Sequence, residues 1–196
     1  MRYIELMEAP GQHFQARYLA DNYTGGDIKM YNHGLRTMEG LPQHVTGDLD
    51  IDQNPFVNMD FCPQIVDGQF QIGGTDGVSE FALFTSLQNL AGAPKFIGGG
   101  CVLRFCALAS EISLRGIDTI FPEIHGNLTL VNMNGFNHVL NLFRVKGLTS
   151  VSFYIAKTSD SELNEIMNEF LPMGKKGMMQ CQTALLKAGY ADQAQL

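Results

Sequence analysis

The sequence predicts a mainly β fold with some α-helix, a short parallel β-solenoid with a period of about 21 residues that is capped by C-terminal helices. Three observations lead to this fold class. Residues 35–55 and 56–76 repeat each other without a gap, each repeat contains a run in which apolar and polar residues alternate, and residues 163–186 carry apolar residues at helical spacing.

The first two repeats agree at apolar positions and at turn positions alike. The aligned pairs include Met38 and Met59, Pro42 and Pro63, Val45 and Val66, and Gly47 and Gly68. A fixed period of about 20 to 50 residues is the mark of stacked repeats, because one repeat cannot bury its apolar face alone. We therefore expect each repeat to form one coil of the solenoid.

Further coils follow after two interruptions of the period. A third coil covers residues 90–103 after an insertion at 77–86, and a fourth covers 114–130 after an insertion at 106–113. The fourth coil carries extra residues around 118–120, and a fifth, near Val145, keeps only half of the pattern. Incomplete terminal repeats are usual in such stacks.

The strand in each coil is identified by its alternation. In the run VTGDLDID, Val45, Leu49 and Ile51 fall on one side, and three aspartates at 48, 50 and 52 fall on the other. A period of two predicts a strand with one buried face. We expect the equivalent residues of coils 1 to 4 to stack as one inward column, namely Val45, Val66, Ile97 and Ile124.

The chain is predicted to be one domain, 1–196, in which residues 1–34 form an N-terminal cap, 35–153 the repeat stack and 154–196 a C-terminal helical cap. The stretch PGQHFQARYLADNY shows weak helical spacing in the first cap. In the second cap, Ser159 lies three residues before Glu162, a capping-box spacing. The residues predicted to seal the stack are Leu163, Ile166, Phe170 and Leu185. Met167 shares the spacing of the first helix, and a second helix is expected through Met178, Cys181, Leu185 and Leu186, ending at Gly189.

Composition excludes several classes of protein. Hydrophobic residues make up 45% and charged residues 17% of the chain, which is typical of a globular domain. A net charge of -7 argues against direct binding to nucleic acid backbones. No apolar run is long enough to span a membrane, and Glu5 and Glu8 interrupt any secretory signal, so a cytoplasmic protein without membrane contact is predicted.

No cofactor, metal or catalytic group is expected. The aspartates at 48, 50 and 52 lack the Gly and Glu of a calcium loop, and the glycines of residues 97–101 precede a strand and not a helix. Cys101 aligns with an inward position and His125 with an outward one, so they are not a nucleophile and base. The four cysteines are interpreted as reduced, mostly buried thiols.

The repeat pattern, with the closing FRVKGLTSVSF and the tail EFLPMGKKGMMQCQTALLKAGYADQAQL, resembles the leucine-rich-repeat-like proteins of tailed bacteriophages over residues 30–196. Phe61 departs from the pattern, because the other coils have Gly at that place. The resemblance implies a solenoid, the cytoplasm of the host cell, and a host or phage protein as partner. It implies no particular activity.

These observations predict a non-enzymatic protein-binding module, with the outward side of the strands as the interface. Two alternatives stay open, namely an acidic mimic of nucleic acid and an enzyme with a site built from the insertions. The predicted binding residues are Asp48, Asp50, Asp52, Gln69, Gln71, Val102, Arg104, Asn127 and Thr129, with the aspartates steering a basic patch of the partner.

Overall fold

The parallel strands wind into a β-solenoid of about five turns with helices at its C-terminal end, which confirms the predicted fold class. The computed structural model describes residues 3–4, 23–73, 90–105, 111–132, 134–155 and 158–196. The predicted N-terminal helix, the insertion at 77–86, most of the insertion at 106–113 and Cys106 lie outside the described residues. The domain boundaries stay a prediction.

One ladder of parallel strands runs the length of the stack, and we call it the front ladder. Its strands, in spatial order, are β1 (Tyr3–Ile4), β2 (Asp27–Lys29), β4 (Leu49–Asp50), β6 (Phe70–Gly73), β8 (Cys101–Arg104), β10 (Glu123–Asn132) and β12 (Lys146–Ile155). The sheet therefore already includes residues 27–29, ahead of the first full repeat. Successive coils of such a ladder lie about 4.8 Å apart.

A second, shorter ladder, the side ladder, lies next to it. It consists of β3 (His44–Val45), β5 (Ile65–Val66), β7 (Phe96–Ile97) and the start of β10. The predicted inward column is confirmed, because Val45, Val66, Ile97 and Ile124 pair in register and all four are fully buried.

The front ladder supplies two further buried columns, as the alternation requires. Each column takes one inward residue from each coil, and every member is inaccessible to solvent. The columns are Leu49, Phe70, Cys101, Leu128 and Val151, and Ile51, Ile72, Leu103, Leu130 and Phe153. Met38 and Met59 are buried as well, in agreement with their interpretation as core residues.

Glycines form the corner between the two ladders. A Cβ placed on Gly68 would lie 2.7 Å from the carbonyl carbon of Gly47, and one on Gly99 would lie 2.9 Å from that of Gly68. The Gly68 and Gly99 amides donate to the carbonyls of Gly47 and Gly68, each at 3.0 Å. Each repeat glycine is thus required because the backbone of the preceding coil lies against it.

The two other glycines of the segment IGGGC, Gly98 and Gly100, also lie close to backbone atoms of neighbouring coils. A Cβ on Gly98 would lie 2.3 Å from the Asp67 carbonyl oxygen, whereas one on Gly100 would lie 3.3 Å from the Asn127 carbonyl oxygen. For Gly98 the neighbour is the preceding coil of the same chain.

We expect Gly68→Ala to lower the free energy of unfolding by about 2 kcal/mol or more, because the added methyl group overlaps backbone atoms that cannot move alone. Denaturant unfolding measures the loss. Gly100→Ala is the matched control and should lose less, since its nearest neighbour is 3.3 Å away. Equal losses in the two variants would contradict this account of the corner.

The extra residues of the fourth coil form one helical turn. Helix α1 (Ile117–Ile120) follows Gly116, which has a φ of 72°, and leads into β10. Strand β10 runs straight through the corner at Gly126 with register shifts, so it pairs with both β7 and β8. A small two-stranded sheet, β9 (Ile112–Ser113) with β11 (Phe136–Asn137), and a 3₁₀ helix (Val139–Arg144) complete this end.

The C-terminal cap contains β13 (Thr158–Ser159), α2 (Ser161–Phe170), 3₁₀ turns (Leu171–Lys176) and α3 (Met178–Lys187). Buried Leu163, Met167, Cys181 and Leu185 belong to the core, and Ile166, Phe170 and Met178 pack against it. Leu186 lies on the expected helix, and its side chain is 55% exposed. The helix ends at Lys187, two residues before the predicted Gly189, which follows the C-cap Ala188 and has a φ of 90°.

The predicted capping box at Ser159 is displaced by one residue. Asp160 is the N-cap of α2, and its side chain accepts from the Leu163 amide at 3.1 Å. Ser159 instead pairs with Tyr154 in the antiparallel contact of β13 with β12. Aspartate at this place also brings negative charge to the helix N-terminus, which is favourable.

Asparagine side chains of α2 cover the open edge of β12. The Asn168 side chain accepts from the Val151 amide at 2.7 Å and donates to the Val151 carbonyl at 2.8 Å. Asn164 does the same to Phe153, at 2.7 Å and 3.3 Å. The two asparagines are one helical turn apart, so they meet alternate residues of the strand and replace a further strand.

Tyr190, which follows α3, connects the end of the chain to the start of α2. Its hydroxyl donates to the Asp160 carboxylate at 2.8 Å. Burial, followed by this hydrogen bond and the nearby negative charge, raises the pKa of Tyr190 to about 12. Burial and the charge of Glu169 likewise raise the pKa of the Cys181 thiol to about 12.

We expect Tyr190→Phe to reduce the alkaline sensitivity of the protein. A raised pKa in the folded state stabilises the fold below the ordinary tyrosine pKa, and the contribution is lost as pH rises through about 10 to about 12. The stability difference between wild type and Tyr190→Phe should therefore shrink across this range, as measured by urea unfolding at each pH. Tyr154→Phe is the control, and a constant difference for Tyr190→Phe would contradict the assignment.

Candidate functional site

The outward side of the front ladder, which we call the front face, carries the residues predicted to bind a partner. Asp50, Gln71, Val102 and Thr129 lie side by side on four successive coils, in the register expected from the sequence. All four side chains are half-buried, and Ser152 of β12 continues the row. The row is continuous because every coil contributes one residue at the same height.

Asp48 accepts a hydrogen bond from the backbone of the next coil, in addition to carrying a charge on this face. Its carboxylate accepts from the Gln69 amide of the next coil at 2.8 Å, and Asp27 accepts from the Asp48 amide at 2.9 Å in the same way. Each carboxylate thus satisfies a backbone donor at the glycine corner, where the regular ladder is interrupted.

Asp52 and Arg104 form an ion pair across the intervening coil. The Arg104 guanidinium donates to the Asp52 carboxylate, and Gly73 lies between them in the ladder. A Cβ on Gly73 would lie 2.3 Å from the Arg104 Cβ, so only glycine leaves the space that the pair needs. The sequence placed Asp52 outward, but its side chain is buried, with the residue 6% exposed.

The fourth and fifth coils replace these charges with neutral hydrogen bonds. The Asn127 side chain donates to the Thr129 hydroxyl at 2.8 Å and accepts from the Ser150 hydroxyl at 3.0 Å. These bonds hold the three side chains flat against the sheet. The front face is therefore acidic near Asp50 and neutral towards β12.

Asn54, which the sequence analysis did not assign a role, organises the turn after β4. This side chain is buried, with the residue 1% exposed, and it bonds five backbone groups. It accepts from the amides of His33 and Leu35 and donates to the carbonyls of Met30, Ile51 and Asp52. The signal in the sequence was the segment DQNP, in which an asparagine precedes a proline at the end of a strand.

The outward side of the side ladder, the side face, differs from the front face in chemistry. Its central row consists of His44, Ile65, Phe96 and Glu123, in register. At one end the His44 imidazole contacts the Asp67 carboxylate at 2.9 Å, and at the other the His125 imidazole contacts Glu123 at 2.7 Å. The His125 ring also packs on Phe96, with centroids 5.5 Å apart.

Phe61 lies in the turn that leads into this face. It is 60% exposed and has a φ of 65°, in the left-handed region that disfavours residues with a Cβ. The equivalent residues of coils 1 and 3 are Gly40 and Gly92, with φ values of 94° and 82°. Phe61 therefore places an exposed aromatic ring at a backbone position that is suited to glycine.

The three cysteines in the described part of the chain are buried free thiols. They are Cys62, Cys101 and Cys181, and burial raises the pKa of the Cys62 and Cys101 thiols. His125 is exposed while Cys101 is inward, as the alignment predicted. Within the described ranges no group of three or more His, Cys, Asp or Glu side chains is placed to hold a metal ion.

Helices in the described part of the chain are all too short or too polar to cross a membrane. Comparison of the chain with known protein families, with curated proteins and with solved structures finds no match.

Proposed function

We propose that the chain is a non-enzymatic protein-binding module and that the front face is its binding surface. The observation that carries the proposal is the row of Asp50, Gln71, Val102 and Thr129, which is continuous over four coils and half-buried throughout. Short side chains in register make a flat surface that a partner can approach closely. A face that serves only solvation would carry more Lys and Glu.

The charge of the front face suggests the partner's chemistry. Asp50 is half-buried at the acidic end of the row, and Asp48 lies beside it. Charges of one sign at one end of an interface steer a partner of opposite sign. The partner's surface is therefore basic opposite Asp50 and uncharged opposite Val102 and Thr129.

The resemblance to leucine-rich-repeat-like phage proteins suggests where this partner is found. We propose a host protein in the cytoplasm of an infected cell, with the module inhibiting or redirecting host defence or transcription machinery. A phage protein is the other source that the resemblance allows. This part of the proposal rests on the repeat pattern of residues 30–196 and on no other observation.

The alternative of an acidic nucleic-acid mimic has less support from the contacts. Such a mimic needs carboxylates that project freely in place of phosphates. Asp52 is buried against Arg104, and Asp48 bonds the backbone of the next coil. Asp48 and Asp50 are both half-buried, so none of the three predicted aspartates is fully exposed.

The binding experiment uses two arginines placed in the middle of the front face. Tagged wild type and the variant Gln71→Arg/Val102→Arg are used to recover partners from host lysate, and the partner identified by mass spectrometry is then purified for titration. We expect the variant to bind at least about tenfold more weakly, because bulky charge would be buried at the centre of the contact.

The matched control is Gln43→Arg, which places the same side chain beside the side ladder. It should bind as wild type does. Equal affinity of the front-face variant and wild type, with both proteins folded, would overturn the assignment of the front face. Asp52 and Arg104 are not used as probes, because changing either leaves an unpaired charge and perturbs the fold.

A further inference from the structure

We infer that the side face is a self-association surface on which a second copy of this chain docks about a two-fold axis. The inference does not rest on the proposed function, since the side face lies around the glycine corner from the front face. Its core is the row of His44, Ile65, Phe96 and Glu123, and Phe61 stands at its margin.

The first observation is the residue choice at Phe61. A left-handed φ costs a non-glycine residue about 1 kcal/mol or more, and the neighbouring coils avoid the cost with Gly40 and Gly92. The ring gains little within the coil, because it is 60% exposed. Strain that is kept without benefit to folding points to a contact made with another molecule.

The second observation is the apolar character of the row. Ile65 is 38% exposed at the centre of the row, and half-buried Phe96 lies next to it on the following coil. Phe61 precedes Ile65 by four residues, so the two lie within about 13 Å of each other. Aromatic and aliphatic side chains at the centre of a polar rim are the usual anchors of a protein interface.

The third observation identifies the partner as a second copy. In an isologous interface residue i of one copy meets residue j of the other, and j meets i. A two-fold axis that passes between Ile65 and Phe96 places Ile65 of each copy opposite Phe96 of the other. The same axis places His44 of each copy opposite Glu123 of the other. The two-fold axis therefore sets the His44 imidazole opposite the Glu123 carboxylate and an apolar side chain opposite an apolar side chain.

The ends of the row reinforce this pairing. His44 already holds Asp67, and Glu123 already holds His125, so each end carries one imidazole and one carboxylate. Antiparallel docking sets His44 of one copy opposite Glu123 of the other, whereas parallel docking would set His44 on His44 and Glu123 on Glu123. A foreign partner would need no such match between the two ends of one row.

Sedimentation velocity of the purified chain tests the inference, from about 1 µM to about 1 mM protein. We expect a reversible monomer–dimer equilibrium in wild type. Ile65→Thr should weaken it at least about tenfold, because an apolar anchor is lost from the centre. Tyr154→Thr, which removes a side chain of the same 38% exposure from the front ladder, is the control and should dimerise normally.

Phe61→Gly separates binding from folding. It should weaken dimerisation at least about tenfold and at the same time raise the melting temperature of dilute, monomeric protein, because the backbone strain is relieved. If Phe61 served only the fold, Phe61→Gly would lower both the dimerisation affinity and the melting temperature. Wild type that stays monomeric over the whole concentration range overturns the inference, and so does a Phe61→Gly variant that dimerises like wild type.

A charge exchange tests the two-fold axis itself. His44→Glu places two carboxylates opposite each other in both halves of the dimer, and Glu123→Lys removes the carboxylate that faces His44 in both halves, so each variant alone should be mostly monomeric. Mixed in equal amounts, the two should form a heterodimer, because Glu at 44 then faces Lys at 123. Failure of the mixture to associate, with wild type dimeric, rejects the antiparallel arrangement.

Discussion

Replacing Asn164 and Asn168 together by alanine is expected to lower the free energy of unfolding by about 3 to 6 kcal/mol, the largest effect of any change considered. Each asparagine satisfies both the amide and the carbonyl of one residue of β12, Phe153 or Val151. Removing both takes the side-chain partner from three backbone groups of an edge strand, the Val151 amide and carbonyl and the Phe153 amide, while the Phe153 carbonyl keeps the Asp160 amide at 3.1 Å. Small domains have about 5 to 15 kcal/mol of stability in total, so the double variant should be close to unfolding.

Chemical denaturation measured by far-UV circular dichroism gives the loss. Glu165→Ala is the matched control, since it removes an exposed side chain from the same helix and should change stability little. The stability loss of Asn168→Asp should lie between those of Glu165→Ala and the double alanine variant. The carboxylate still accepts from the Val151 amide, but it repels the Val151 carbonyl. A double alanine variant as stable as Glu165→Ala would show that the helix and not its asparagines protects the edge.

Replacing Asn54 by alanine is expected to cost about 3 kcal/mol. The side chain bonds two amides and three carbonyls from two successive coils, and its burial excludes water as a substitute. No other side chain in the described turn after β4 bonds so many backbone groups. The loss should appear as a lower melting temperature and as faster hydrogen exchange at His33 and Leu35.

Asn58→Ala is the control for this prediction. Asn58 is half-buried in the following turn and bonds Asp60 only locally, at 2.7 Å and 3.1 Å. Its removal should cost less than about 1 kcal/mol. If the two variants lost the same stability, the turn after β4 would be held by packing and not by the Asn54 amide.

The repeat stack was readable from the sequence because its determinants are local. Alternation with a period of two assigns Val45 inward and Asp50 outward without any knowledge of the neighbouring coil. The gapless pairing of residues 35–55 with 56–76 then fixes which residues stack, since a one-residue slip would turn every side chain to the other face. The buried columns and the row on the front face follow from these two facts.

The contacts between non-adjacent coils were not readable in this way. Alternation assigns Asp52 outward, and it cannot show that Arg104 lies within reach across Gly73. That contact depends on how the insertion at 77–86 leaves the register of the third coil unchanged. The asparagines of α2 were missed for a related reason, because the helix was interpreted by its apolar stripe alone.

The sequence predicted the position of the candidate site, but it did not predict the contacts that decide the chemistry of the site. The row through Gln71 and Val102 needed only the repeat register. The roles of Asp48 and Asn54 depend on backbone groups that turns leave unpaired, and sequence patterns do not show those groups. Phe61 was noticed as a departure from glycine, but its left-handed φ and its exposure required the fold.

The pair of Asp52 and Arg104 has a consequence for how the stack comes apart. Contacts in repeat proteins normally join nearest neighbours, so coils at the ends can unfold one after another. This pair joins coil 1 to coil 3, over two strand spacings of about 4.8 Å each, and it passes directly over coil 2. Any loosening of the middle coil also separates the two charges, and loosening of either outer coil strands the other charge. We therefore expect the pair to couple these three coils, so that the first half of the solenoid unfolds as one cooperative unit and not coil by coil.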